Sequence, residues 1–471
     1  MFCTKWNSVL FLAVHLLFSA SSSFCQVPGS TPDAQQVPLI HKTELLNGLK
    51  VILVQTKAAP RIGLDLLIKA GSATDLPGKA GTAYLVAQSL RFANEREPAE
   101  HSSEEMADLG AELQIRVDWD STVLHAEVPW QNLESFLDLL SRMLLKPIFS
   151  LRDVEKLKQS LMTPKIESPG TAELAERKLQ SLVFGKNPYG HPVRGTSRSL
   201  ANIHTEDLDE FYRTYYCPNN AALIVAGNVE ASQIGGLIRE KLGGWVKGSK
   251  VEIDFPQVSV GEKFSMLLVN EKQEKVAIAF GHTGPARNTS DFYALTMMNL
   301  ILGSDGNRSR LTQAFLARNI AHESVQSDFE FGCSGGLFRI ATVVSSSGVA
   351  QALTTILEVI ENLKASPINE SELTTAKEQL LDWYAKLLSS PSLLADQVTR
   401  MELYGLASDF LVSFPKRVQQ ITKERIEEVS KNYLSTSRAT AVIVGNCNDS
   451  VSELKKLGSL EITERTEIEK D

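Results

Sequence analysis

The chain is poor in most of the features that announce chemistry. It has no basic run: 48 Lys and Arg stand against 56 Asp and Glu, a formal charge of −8. A general nucleic-acid binder needs concentrated Lys and Arg, so that class is excluded. Cysteine is scarce, five residues with no C-x-x-C pair, so no disulfide framework or cysteine-rich zinc site is written in the chain. Beyond the N-terminus no apolar run is long enough to span a bilayer as a helix. His41, His101, His125, His191, His204, His282 and His322 are scattered. No two have the spacing that sets two imidazoles on one helix face to hold a metal.

What is present describes an ordinary folded protein. Hydrophobic residues make up 43% and charged residues 22% of the 471 positions, enough to bury large cores. The opening "MFCTKWNSVLFLAVHLLFSASSSFCQ" has Lys5, an apolar run from Val9 to Phe18 and a cluster of small residues. It reads as a cleavable secretory signal over residues 1–25, which implies a secreted or periplasmic protein. Lipid attachment at Cys25 is disfavoured by the bulky Phe24 before it. Residues 26–39 read as a polar, Pro-containing linker. Cys217, Cys333 and Cys447 remain after cleavage. They read as small buried hydrophobes, with one disulfide and one thiol as the alternative.

An internal repeat organises the rest. "IHTEDLDEFYRTYYCPNNAALIVAGN" (203–228) aligns without a gap with "ITKERIEEVSKNYLSTSRATAVIVGN" (421–446), at an offset of 218. Each copy predicts an amphipathic helix, then a buried strand ended by Gly. "SRMLLKPIFSLRDVEKLKQSL" (141–161) resembles "IENLKASPINESELTTAKEQLL" (360–381) at nearly the same offset. So long a period indicates two tandem domains of one fold, 40–247 and 248–471, rather than a solenoid. "LKVILVQ", "RIGLDLLIKAG" and the alternating "AELQIRVDWDSTVLHAEVP" predict strands in the first copy; "FSMLLVN", "KVAIAFGH" and "GGLFRIATVV" do so in the second. The fold class is therefore α+β: in each domain a mostly antiparallel sheet, covered by helices on one face.

Two short motifs carry little. "GCSGG" (332–336) matches G-x-S-x-G around Ser334, but the residues after it alternate like a strand, so a hairpin turn is favoured over a nucleophile elbow. "LGSDGNRSRL" (302–311) lacks the Lys-Ser/Thr of a phosphate loop. Asn288, Asn307, Asn369 and Asn448 head N-x-S/T sequons, which matter only where the host glycosylates.

Longer segments carry a resemblance. "LLNGLKVILVQ", "AGSATDLPGKAGTAYLVAQSL", "NPYGHPVRGTSRSLANIHTEDLDEFYRTYYCPNNAALIVAGNV" and "LGSDGNRSRLTQAF" occur in the order of the pitrilysin-like (insulinase) metallopeptidases, of the processing-peptidase type. The likeness runs from about Ile40 to Asn446. It implies that family's fold and an inverted zinc site, H-x-x-E-H on a helix with a later Glu as third ligand. On this chain the first His position is Tyr84, the base position Ala87 and the second His position Gln88. The later Glu position falls, within a residue or two, at Leu161, and no Asp or Glu lies between Glu155 and Glu167. The family's Arg and Tyr from the second domain fall at Leu316 and Glu323; a one-residue slip offers His322, and Arg318 is out of register. The motif is degenerate at every position, and catalytic zinc normally needs three protein ligands.

The resemblance therefore implies a non-catalytic homologue. In this reading the chain binds no cofactor, zinc sits only in a catalytically competent partner subunit of the same family, and the two enclose a peptide substrate, with a sheet edge open to strand addition. A stand-alone peptide-binding or scaffolding protein is the alternative. A true zinc peptidase with an unorthodox site ranks third.

Overall fold

The computed structural model describes residues 37–56, 60–91, 99–163, 170–249, 253, 258 and 261–465. The stretch read as a signal peptide and most of that read as a linker lie outside the described residues.

Among the described residues, twelve strands form two sheets. The first holds β1 (Leu39–Glu44), β2 (Lys50–Gln55), β3 (Arg61–Ile68), β4 (Glu112–Val117), β5 (Thr122–Pro129) and β6 (Ala221–Gly227). The second holds β7 (Ser265–Asn270), β8 (Lys275–Gly284), β9 (His322–Phe331), β10 (Gly336–Ser345), β11 (Thr440–Gly445) and β12 (Ser459–Glu464). The first-half helices are α1 (Thr82–Ser89), α2 (Ala99–Asp108), α3 (Leu133–Leu145), α4 (Leu151–Leu161), α5 (Thr171–Phe184), α6 (Ser197–Ala201), α7 (Thr205–Tyr215) and α8 (Ala231–Leu242). The second half adds α9 (Phe292–Asn299), α10 (Arg310–Ala317), α11 (Val349–Ala365), α12 (Glu370–Ser389), α13 (Pro391–Leu403), α14 (Phe410–Gln420), α15 (Lys423–Tyr433) and α16 (Val451–Leu457).

The sheet orders are β1-β2-β6-β3-β5-β4 and β12-β7-β11-β8-β10-β9. Position by position β7 answers to β2, β11 to β6, β8 to β3, β10 to β5 and β9 to β4. The segments matched in sequence fold alike: α7 and β6 in one copy, α15 and β11 in the other. The outer strands differ. β1 returns through a tight turn and pairs antiparallel with β2, whereas β12 arrives from α16 and pairs parallel with β7. A short turn permits only the antiparallel pair; a helical crossover permits the parallel one.

Both faces of each sheet are covered, not one as the sequence suggests. In the first sheet Val51, Leu53, Leu64 and Leu66 face that half's own helices. Ile52, Val54, Leu67, Ala222 and Ile224 face the other way and share a core with Leu394, Ala395 and Val398 of α13. The second sheet does the reverse. Val269, Ala277, Ala279, Val442 and Val444 pack on Leu174, Ala175 and Leu179 of α5. Each half thus lends one helix to the other's sheet. Double burial explains the unbroken apolar runs of β2, β6 and β11, since a strand with one wet face would alternate. Gly63 on β3 permits the close approach of α13: a Cβ there would fall 2.5 Å from Pro391 O and 2.7 Å from Ser392 N. Pro391 opens that helix at a position where a missing N–H costs nothing, and Ser390 Oγ accepts from Leu393 N at 3.3 Å.

Candidate functional site

Helix α1 carries the residues aligned with the zinc motif. Its start is set by Gly81, at φ +101°, where a Cβ would meet Arg194 O at 2.9 Å. Asp75 caps it by accepting from Gly81 N at 2.7 Å and Ala83 N at 2.8 Å. Burial pushes the Asp75 carboxyl up to about 7, against the pull of those two N–H groups. Tyr84 and Gln88 share the half-buried face of α1, one turn apart, while Ala87 is fully buried in the first-half core. α4 packs against α1, so the helix expected to bring the third ligand is in place. It brings Leu161, which is buried in the same core.

Two of the donors beside that face reach the neighbouring strand. Gln88 Nε2 donates to Ile115 O at 3.1 Å, and Arg91 Nη2 donates to Leu113 O at 3.2 Å. The Arg194 guanidinium sits 5.5 Å from the Tyr84 ring centroid. A phenol, an amide spent on a carbonyl and an aliphatic side chain do not fit a zinc ion that needs nitrogen, sulfur or carboxylate ligands. The bonds to Leu113 and Ile115 have a second effect. β4 is the outer strand of its sheet, and these two carbonyls point away from β5. Their acceptors are the ones an added strand would use. On this stretch the expected open edge is closed by the chain's own side chains.

The second-half pair is not assembled. Leu316 on α10 is 54% exposed, and Glu323 is exposed and ion-paired with Lys275. Arg318 is held by Thr355 and Glu358 at 2.8 and 2.5 Å. His322 Nδ1 donates to Ile320 O at 2.7 Å. Ser334 lies in the β9–β10 turn, as expected, with Tyr189 Oη at 3.3 Å rather than a histidine. His191 ends the short turn Pro188–Gly190. Cys217, Cys333 and Cys447 are free thiols.

The structure adds a polar seam between the halves that the linear sequence does not reveal. Asp65 and His125 are cross-strand partners on β3 and β5. His125 Nδ1 donates to Asp65 Oδ1 at 2.5 Å, and Nε2 accepts from Ser392 Oγ at 2.8 Å. Thr399 Oγ1 donates to Asp65 Oδ2 at 2.8 Å. This is the bonding order of a serine-hydrolase triad, yet α13 lies directly on Gly63. The bonds run from β3 and β5 to Ser392 and Thr399 of the helix, so they tie helix to sheet. Nearby, Arg116 and Arg400 bracket Asp396 at 2.7 and 2.9 Å. Burial opposes its ionisation, but Arg400 and Arg116 hold the carboxyl well below the usual range.

Two hairpin turns, one from each half, also meet. Asp120 accepts from Tyr189 Oη at 2.5 Å and from Cys333 N at 2.8 Å. Burial and then Asp118 push the Asp120 carboxyl up to about 6. Burial raises the Cys333 thiol far above its ordinary value, and the two aspartates raise it further, so this cysteine is a poor nucleophile.

Comparison with known proteins yields consistent neighbours. Residues 50–197 match the family model described as insulinase (peptidase family M16), and residues 202–380 match that described as peptidase M16 inactive domain. The second description covers a stretch that excludes Tyr84, Ala87 and Gln88. An uncharacterized zinc protease of Mycobacterium tuberculosis is 25% identical over 411 residues, 85% of this chain and 92% of the relative. A probable mitochondrial-processing peptidase subunit beta of Arabidopsis thaliana is 23% identical over 88% of this chain and 79% of its own length. Among solved structures, a peptidase M16 inactive domain from Pseudomonas fluorescens superposes with TM-score 0.81 at 21% identity, covering 86% of this chain and 98% of that one. A protease from Helicobacter pylori gives TM-score 0.79 at 18% identity, over 86% and 99%.

Proposed function

We propose a function from one premise: the chain belongs to the insulinase (peptidase M16) family. In that family it is a non-catalytic member, which pairs with a zinc-bearing relative and supplies half of the wall around a peptide substrate. The observation that carries the reading is the state of α1. Ala87 is packed where a base would stand, and Gln88, at a ligand position, is bonded to the neighbouring strand. Leu161 offers no third ligand. The name of the Arabidopsis relative, a processing-peptidase subunit, supports an assembly of related chains. The N-terminal sequence alone supports a location outside the cytoplasm.

The test is purification of the native complex with elemental analysis. The expected result is a family member carrying H-x-x-E-H in the complex, with one zinc per pair and none in the isolated chain. Stoichiometric zinc together with peptide cleavage by the isolated chain would overturn the reading. A second measurement probes the alignment. The triple variant Tyr84→His, Ala87→Glu, Gln88→His is expected to remain inactive, because Leu161 supplies no ligand. Zinc-dependent cleavage by it would show that the third ligand has been misplaced. A stand-alone peptide binder is the second reading. Recovery of the native protein as a monomer that binds peptide would select it.

A further inference from the structure

Among the described residues, Arg287 is buried without an ion-pair partner. It follows β8, and its backbone N–H donates to Gly332 O at 3.0 Å, which seats it beside the Gly-rich turn. The residue is 7% exposed. Its guanidinium carbon lies 3.4 Å from the Phe292 ring centroid and 5.6 Å from that of Phe410. Around it lie the Phe292 and Phe410 rings, Arg400, Tyr404 and Tyr293, and among the described residues no carboxylate is ion-paired with it. Other arginines enclosed in this half differ: Arg339 has Glu176 at 2.9 Å, and Arg310 has Glu372 at 2.7 Å. A guanidinium this enclosed is normally paired, because desolvation without a partner costs several kcal/mol. The rings recover part of that through cation–π attraction, but they accept none of the five N–H bonds in the guanidinium plane. Those nitrogens are not fully enclosed, whereas the nearby Tyr293 hydroxyl is enclosed and has no partner among the described residues.

The surrounding charges set what the site accepts. Arg400 is committed to Asp396 at 2.9 Å, and Tyr404 Oη donates to Phe331 O at 3.2 Å. Arg417 lies 5.9 Å from the Tyr293 ring centroid, with Asp409 at 4.0 Å. Asp118 acts on Arg400 and on Tyr404, and Asp120 on Tyr404, but among the described residues no carboxylate pairs with Arg287, so its own complement is one negative charge. A planar monoanion matches the guanidinium fork. Phe292, Phe331 and Phe410 beside it suit an apolar neighbour for that anion.

We propose that Arg287 anchors a subsite for a single carboxylate, from the C-terminus of a bound peptide or from an acidic side chain. The proposal rests on the peptide-enclosing reading above and says which chemical group the chain itself holds. Arg287 is a binding residue here; no reaction step is assigned to it.

The experiment uses the full chain and one neutral, Phe-containing peptide in three forms: free acid, C-terminal amide, and amide with one internal Glu. Charge-assisted bonds predict that the free acid or the Glu form binds at least about tenfold more tightly than the neutral amide. Which of the two does so identifies the source of the carboxylate. Arg287→Met is expected to erase the difference while keeping or raising the thermal midpoint, because it removes an unpaired buried charge. Arg287→Lys, should the Met variant not fold, is expected to lose most of the preference with an unchanged circular dichroism spectrum. Equal binding of all three forms, or a preference that survives Arg287→Met and Arg287→Lys, overturns the proposal. Failure of every peptide to bind sinks the peptide-enclosing reading instead. In that case N-acetylphenylalanine and its amide, tested by thermal shift, still decide the site. Stabilisation by the acid alone, lost in the variants, sustains it, and equal or absent shifts overturn it.

Discussion

The two exchanged helices, α5 and α13, occupy equivalent places and hold on by opposite means. α5 meets the second sheet with Leu174, Ala175 and Leu179, an apolar contact with one ion pair at its side, Glu176 to Arg339. α13 lays Leu394, Ala395 and Val398 on the first sheet and adds a line of polar ties. These are Ser392 to His125, Thr399 to Asp65, Asp396 to Arg116, and Glu402 to Lys50 and Lys69 at 2.8 Å each. An apolar contact attracts but tolerates sliding. Buried hydrogen bonds with fixed partners select one position. The comparison teaches that one half of the junction supplies adhesion and the other supplies register.

The largest expected effect comes from breaking the register. Asp65→Ala strips partners from both His125 and Thr399 in a buried place and is expected to cost about 3–5 kcal/mol in urea unfolding. A loss below 1 kcal/mol would remove the distinction between the two helices. Leu179→Ala tests the adhesive side. Leu179 is fully buried, and about 2–4 kcal/mol is expected, with no change in the first-half peptide protection seen by hydrogen exchange.

Acid should loosen the second half selectively. Burial holds His282 down to about 4 from 6.5; its Nδ1 donates to Thr283 O at 2.9 Å, and Nε2 accepts from Ser435 N at 3.2 Å. Between those values the unfolded chain binds the extra proton, so stability rises with pH through that window. The contribution is complete above 6.5 and is lost as pH falls through about 4. It amounts to about 3 kcal/mol at most. His282→Gln is expected to flatten this slope in pH-dependent unfolding; an unchanged slope would clear His282 of the role. The smallest effect belongs to the outer tie. Glu402→Gln weakens links to two lysines that are partly in water, for about 1 kcal/mol or less, and less still in high salt.

A second pairing, α1 with α9, shows what became of the motif. Both follow the strand in the fourth position of their sheet, β3 or β8. α9 is almost wholly apolar, with Tyr293, Leu295, Met297 and Met298 buried. In α1, Ala83, Leu85, Val86 and Ala87 are buried, and Tyr84 and Gln88 remain as a half-open strip. The first half's helix thus keeps a half-buried phenol and amide, while among the described residues Arg287, in the second half, has no ion-pair partner.

Much of this was legible in the chain. The 218-residue offset foretells the twin sheets, because a repeated helix–strand pattern repeats its local structure wherever it occurs. Strand alternation foretells the Glu112–Pro129 hairpin and the turn at Ser334. Spacing on one helix is a local property, so the substitutions at Tyr84, Ala87 and Gln88 can be read without coordinates. Tertiary structure alone decided the rest. The exchange of α5 and α13 has no linear signature, since an apolar strand face looks the same whichever helix covers it. Asp65, His125 and Ser392 are 60 and 267 positions apart. Nothing in the periodicity around Gln88 or Arg91 says that they reach the carbonyls of β4. Arg287 reads as a loop arginine in "GPARNTS" until the fold brings Phe292 and Phe410 against it with no ion-pair partner among the described residues. Periodicity specifies which face of an element is buried; only the packed chain specifies what that face meets.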